Sequence, residues 1–191
     1  MKKILCALLL LTMMLPCAAL AQILNLGDFS MDLDPDMPGQ IGKKMEGELL
    51  LQVYPAYQAT GDDQTTLAVN WTSETMDLDS MNGLTLSIYG SNVVEGFKEG
   101  FESSGLTISD CSLESIELAK VGGQNALKFD IFATVDYSSL GADYAGLTLR
   151  IYQRSYVVPM EDGAYAFVCI SSDAESVETY IEPLMATVQW N

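Results

Sequence analysis

Two stretches of this chain alternate apolar and polar residues so regularly that they dictate the kind of fold around them. From Ala126 to Asp136, Leu127, Phe129, Ile131, Ala133 and Val135 fall on one side. From Leu147 to Val158, one side carries Leu147, Leu149, Ile151 and Val157, the other Thr148, Arg150, Tyr152, Arg154 and Tyr156. A period of two is the signature of a strand with distinct faces. Thr107 to Val121 precedes them and meets the first at Gly122-Gly123-Gln124-Asn125, a turn sequence. Pro159 to Gly163 turns the second into Ala164–Ser171. Consecutive strands joined by short turns pair antiparallel, so a large antiparallel sheet is expected.

Shorter strands precede it: Phe29–Leu33 ending at Pro35, Leu49–Tyr54 ending at Pro55, and Leu67–Trp71 after the turn Gly61-Asp62-Asp63. Residues 35 to 44, with two prolines and two glycines, are expected as a loop. Val93/Val94, Phe97 and Phe101 recur at helical spacing, with Ser91 or Asn92 as cap and Gly105 as stop. Leu84 to Tyr89 suits either helix or strand, because Gly83 and Gly90 flank it. A last helix carries Val177, Tyr180/Ile181, Leu184/Met185 and Val188, with Ser172 and Glu175 as a capping box. Pro183 inside it removes a backbone donor and should kink or restart the helix near Glu182. Strands and helices in this order make an α+β fold, read as one domain over residues 29–191.

Residues 1–21 read as a signal peptide: Lys2 and Lys3, an apolar run from Ile4 to Leu15, and an Ala-x-Ala site ending at Ala21. The run is shorter than the roughly 20 residues that span a bilayer. Pro16 before Cys17 argues against lipid attachment there. The chain is therefore expected to be exported to a periplasmic, cell-surface or extracellular location, with no transmembrane segment in the mature form. Residues 22–28 are expected as a mobile lead-in. Of nine basic side chains, Lys2 and Lys3 fall in the signal, so seven remain against 26 acids, a formal charge of −19. Such a charge repels phosphate backbones and excludes nucleic acid as a natural partner. Cys111 and Cys169 remain after cleavage. Export permits a disulfide between them, and two buried thiols are the alternative.

The second half resembles a known superfamily. Leu147-Thr148-Leu149-Arg150-Ile151-Tyr152 follows a long hairpin. Next come Asp162-Gly163-Ala164-Tyr165, a strand, and the helix Val177-Glu178-Thr179-Tyr180-Ile181-Glu182-Pro183-Leu184-Met185. This order is similar to that of the photosystem II extrinsic protein PsbP and its relatives, which include DcrB-type bacterial envelope proteins and a Ran-binding branch. Phe29–Leu33 fits that family's opening strand. The resemblance implies an α/β/α sandwich with a central antiparallel sheet, and a non-enzymatic binding or assembly role. It carries over no individual functional residue, and a shared fold does not transfer the photosynthetic role.

The chain has no histidine, which removes the commonest general base and every Ser-His or Cys-His arrangement. It has no phosphate-binding glycine motif. Asp32-Leu33-Asp34-Pro35-Asp36 imitates the start of a calcium loop. It fails at the sixth position, Met37, and the twelfth, Lys43. No metal or other cofactor is expected. The candidate binding residues are Arg150, Tyr152, Arg154 and Tyr156, since Arg and Tyr dominate contact hot spots. Tyr137 and Tyr144 join them, in a Tyr/Ser/Gly loop suited to adaptable contacts. The competing structural reading pairs the two arginines with acids of a neighbouring strand, such as Asp130 or Asp136, beneath a helix. The expected function is that of an exported bacterial, non-catalytic domain binding a protein or envelope component. The alternative is a carboxylate-dependent hydrolase acting outside the cytoplasm.

Overall fold

A computed structural model describes residues 22–34, 36–61 and 63–191. The expected signal segment 1–21, the strand stop at Pro35 and the Asp62 position of the Gly61–Asp63 turn lie outside the described residues.

The expected hairpins form the centre of the molecule. Strands β6 (Thr107–Val121), β7 (Gln124–Asp136), β8 (Thr148–Met160) and β9 (Gly163–Ser171) pair antiparallel in succession. The Val121↔Gln124 register leaves Gly122 and Gly123 as the two loop residues of the first hairpin. Both have positive φ, +55° and +87°, as a hairpin turn matched to strand twist requires. β9 continues into β5 (Thr66–Thr72), β4 (Leu49–Val53) and β3 (Gly39–Ile41), giving a seven-stranded sheet in the order β3-β4-β5-β9-β8-β7-β6. β3 lies within the stretch expected as a loop. Its three residues are all exposed and are ordered only by pairing with β4.

Residues 22–28 also differ from expectation. Gln22–Asn25 is strand β1, paired with β2 (Phe29–Leu33). β10 (Gln189–Trp190) pairs on the other side of β2, making a separate three-stranded sheet. A segment of four residues has too little local pattern to announce itself. Its order comes from the neighbour it pairs with.

A short helix, α1 (Tyr57–Thr60), follows β4. Helix α2 (Gly83–Ser103) starts earlier than Ser91 or Asn92, so Leu84–Tyr89 is helical, not extended. Asn82 caps it, and Thr85 returns the hydrogen bond to the Asn82 backbone. Gly90 does not break the helix. It is the buried residue of α2, and a Cβ there would lie 2.5 Å from Leu113 Cδ2. The glycine lets the helix sit close on β6. The last helix, α3 (residues 174–185), runs through Ala174–Ser176, a π-helical segment Val177–Ile181, and Glu182–Met185. Its cap is Asp173, whose Oδ1 accepts from Ser176 N at 2.8 Å, not Ser172. The final α turn begins at Glu182 with Pro183 in its first positions, the restart expected at that proline.

The alternation of β7 and β8 sorts the core into two layers. Leu127, Phe129, Ile131 and Val157 pack with Leu86, Tyr89, Val93 and Phe97 of α2. On the other face Tyr152, Tyr156, Val158, Tyr165 and Phe167 pack with Val177, Ile181 and Met185 of α3 and with Phe29 and Met31 of β2. The fold is α+β with a central antiparallel sheet between two outer layers. One layer is helix α2; the other combines α3 with the small sheet.

Candidate functional site

The polar face of β8 divides between a buried half and an exposed half. Arg154 stands directly opposite Asp130 across the β7–β8 ladder. Its Nε and Nη2 donate to Asp130 Oδ1 and Oδ2 at 2.9 and 3.1 Å, and Nη1 donates to Glu182 Oε1 of α3 at 2.8 Å. Nη2 also donates to Tyr152 Oη, and Tyr156 Oη donates to Glu182 Oε1 at 2.6 Å. Arg154, Tyr152 and Tyr156 are 7 %, 8 % and 6 % exposed, which corrects the assignment of Arg154 and Tyr156 as contact residues and leaves Tyr152 only a small exposed part. They fasten α3 to the sheet instead, as the pairing reading held for Arg154. Burial raises the Asp130 carboxyl, but the Arg154 hydrogen bonds outweigh it and hold the group below the usual range. Burial, reinforced by the Glu182 hydrogen bond, pushes the Tyr156 hydroxyl well up. Both carboxylates are thus committed to one guanidinium.

Arg150 lies four residues earlier on the same face and behaves differently. It is exposed, its guanidinium carbon stands 5.0 Å from the Phe132 ring centroid, and no described carboxylate forms an ion pair with it. It lines an open cleft of about 570 Å³ with Glu114, Phe132, Tyr152, Ser172, Asp173 and Ala174. The two cleft acids have local partners: Glu114 accepts from Ser112 Oγ, and Asp173 caps α3 while accepting from Ser172 Oγ. The pocket therefore offers one uncompensated cation beside an aromatic floor.

The loop between β7 and β8 adjoins this end of the sheet. Tyr137 N donates to Leu147 O, closing the loop at its base, and two single 3-10 turns, Ser138–Leu140 and Ala142–Tyr144, shape its tip. Ser139 Oγ donates to Gly105 O, tying it to the end of α2. Leu140, Tyr144 and Leu147 are 49 %, 44 % and 51 % exposed, while Tyr137 is half-buried. Among the sequence candidates, Arg150 and Tyr144 are exposed and Tyr137 is half-buried, all at the end of the sheet where the β7–β8 loop sits.

Cys111 and Cys169 are free thiols. Cys111 packs on the α2 side of β6, while Cys169 lies in the α3-side core of β9. β7 and β8 stand between these strands. Three strand spacings of about 4.8 Å place them well beyond disulfide reach. Of the two alternatives left open by the sequence, the structure has the two separate thiols.

One cluster went unseen in the sequence. Lys44 Nζ donates to Asp28 Oδ2 at 2.7 Å and Asp162 Oδ2 at 3.0 Å, 4.9 Å from the Trp71 ring centroid and 5.4 Å from that of Tyr165. Tyr165 Oη donates to the same Asp28 oxygen at 2.6 Å. Its partners come from three distant segments and leave no local signature. Among the described residues, no group of three or more Cys, Asp or Glu is placed to hold a metal ion. No described helix is long and apolar enough to cross a membrane.

An antiparallel sheet flanked by α2 on one face and α3 with a small sheet on the other defines a PsbP-like α+β fold. The solution structure of cyanobacterial PsbP (CyanoP) from Synechocystis sp. PCC 6803 is similar over 94 % of this chain and 96 % of that one, with a TM-score of 0.56 and 8 % identity. No protein-family model matches the chain, and no curated protein matches it. At that identity the likeness is one of fold.

Proposed function

We propose that this protein is an exported bacterial, non-catalytic domain that docks a protein or another envelope component through the surface formed by Arg150, its cleft and the 137–147 loop. The observation that carries this reading is Arg150: an exposed arginine on an aromatic ring, with no ion-pair partner among the described carboxylates, in a chain with 26 acids. Arginine and tyrosine are among the residues enriched in contact hot spots. The signal-like residues 1–21 support export. The hydrolase alternative gains nothing from Asp130 and Glu182, because both bind Arg154.

The test is quantitative affinity capture from envelope extract, using the chain from Gln22 onward. The Arg150→Glu/Leu147→Ser variant should lose the proteins retained by the unmodified chain, while its unfolding midpoint stays unchanged. Equal capture by both would end the proposal.

A further inference from the structure

We infer that the Arg150 cleft recognises the free carboxylate terminus of a partner polypeptide, with an apolar last residue and a basic residue two places upstream of it. This rests on the docking role proposed above and names the chemistry it reads.

The cleft has three distinct features. Its cation is Arg150, whose planar fork suits two parallel hydrogen bonds to one carboxylate. Its floor is aromatic: Phe132 lies under the guanidinium, and the ring of Tyr152 lines the same space while its hydroxyl is taken by Arg154. Its flanks are acidic: Glu114 on β6 and Asp173 before α3. A polyanion meets the cation but is repelled by both flanks and by the net charge of the chain. A neutral apolar segment leaves Arg150 without a partner. A chain terminus satisfies all three features, because one Cα carries both a carboxylate and a side chain. The carboxylate meets Arg150, the apolar side chain meets the floor, and an upstream lysine or arginine meets Glu114 or Asp173. A volume of about 570 Å³ falls within the range of small-ligand sites, roughly 300–1,000 Å³. Capture of a terminal carboxylate is a recurring recognition mode.

The probe is the acetylated tetrapeptide Ala-Lys-Ser-Leu, prepared as the free acid and as the C-terminal amide. Each is titrated into the ¹⁵N-labelled chain and followed by amide shifts. The free acid should shift Phe132, Arg150 and Ala174 and should bind at least roughly tenfold more tightly than the amide, the scale of one lost charged hydrogen bond. Arg150→Gln should reduce the acid to the level of the amide. Replacing the probe lysine by glutamate should weaken the acid further. Equal binding of acid and amide, or shifts that persist in Arg150→Gln, overturns the assignment. The two proposals separate cleanly. If the Arg150→Glu/Leu147→Ser variant loses envelope capture while acid and amide bind alike, the docking surface stands and the carboxylate assignment fails. If capture survives in that variant, the docking reading itself fails.

Discussion

Arg154 and Asp130 face each other across the β7–β8 ladder and are joined by two hydrogen bonds of 2.9 and 3.1 Å. The same guanidinium reaches Glu182 on α3, so one side chain links strand register to helix placement. Pro183 begins the final α turn beside that glutamate, and the π-helical segment before it ends at Ile181, buried in the core.

Breaking this pair should be costly. Asp130→Asn leaves a guanidinium that is 7 % exposed without its main counter-charge. Removing one partner of a buried pair typically costs about 3–5 kcal/mol. Arg150→Gln, at an exposed site, should stay within about 0.5 kcal/mol of the unmodified chain. Urea unfolding of the two variants checks the contrast. Similar losses in both would mean that Arg150 has a structural partner.

Stability should show limbs at both ends of the pH scale. Asp130 is held below its ordinary value. Its contribution is therefore present above its unfolded pKa of about 3.9 and lost as pH falls through the folded value. Tyr152 and Tyr165 are each pushed up to about 12, by burial first and then by hydrogen bonds to Asp130 and Asp28. Their contribution is present below the unfolded pKa of about 10 and lost as pH rises from there to about 12. Unfolding midpoints should be flat between about pH 5 and 9. Tyr165→Phe should make the alkaline limb shallower and, because its hydroxyl helps hold the Asp28 carboxyl down, should trim the acid limb too while leaving the Asp130 share of it in place.

The long strands were legible because each holds enough residues for a period of two to stand out, and because glycines mark their turns. β1 and β3 were not, since four and three residues carry no period and are ordered by their neighbours. The start of α2 is hard to place from sequence because Gly83 and Gly90 resemble helix breakers. Asn82 and Thr85 provide a reciprocal cap, and Gly90 serves the approach to Leu113. For the site, alternation correctly put Arg150 and Arg154 on one face. Only the position of α3 decides that Glu182 reaches one of them, and helix placement has no signature within β8.

The thiols should behave independently. Cys169 is fully buried and burial raises its pKa, and Cys111 is partly buried with a raised pKa for the same first reason. The chain from Gln22 onward should titrate two thiols in denaturant, with Cys169 unreactive in the native state. Addition of a reductant should leave the unfolding midpoint unchanged. A midpoint that falls on reduction would indicate a bridge.

Lys44 should stabilise its surroundings more than a surface lysine normally does. Its side chain is 30 % exposed, and its carboxylate partners Asp28 and Asp162 are 42 % and 64 % exposed. Ion pairs this open are each worth about 0–1 kcal/mol. The Trp71 and Tyr165 rings add a cation–π contribution of about 0.5–1 kcal/mol. Lys44→Met keeps the packing stem and removes the charge, so it should cost about 1–2 kcal/mol. Asp28 should couple to Lys44 more strongly than Asp162 does, because Asp28 is less exposed and is also held by Tyr165. Double-mutant cycles of Lys44→Met with Asp28→Asn and with Asp162→Asn measure the two couplings. Lys44 also anchors the exposed β3–β4 connection, where Gly47 N donates to Trp71 O at 3.4 Å. Amide exchange at Gly47 should therefore accelerate in Lys44→Met while exchange at Tyr156, deep in β8, follows only the global change in stability. Unchanged protection at Gly47 would show that the strand pairing of β3 and β4 holds this connection without the lysine.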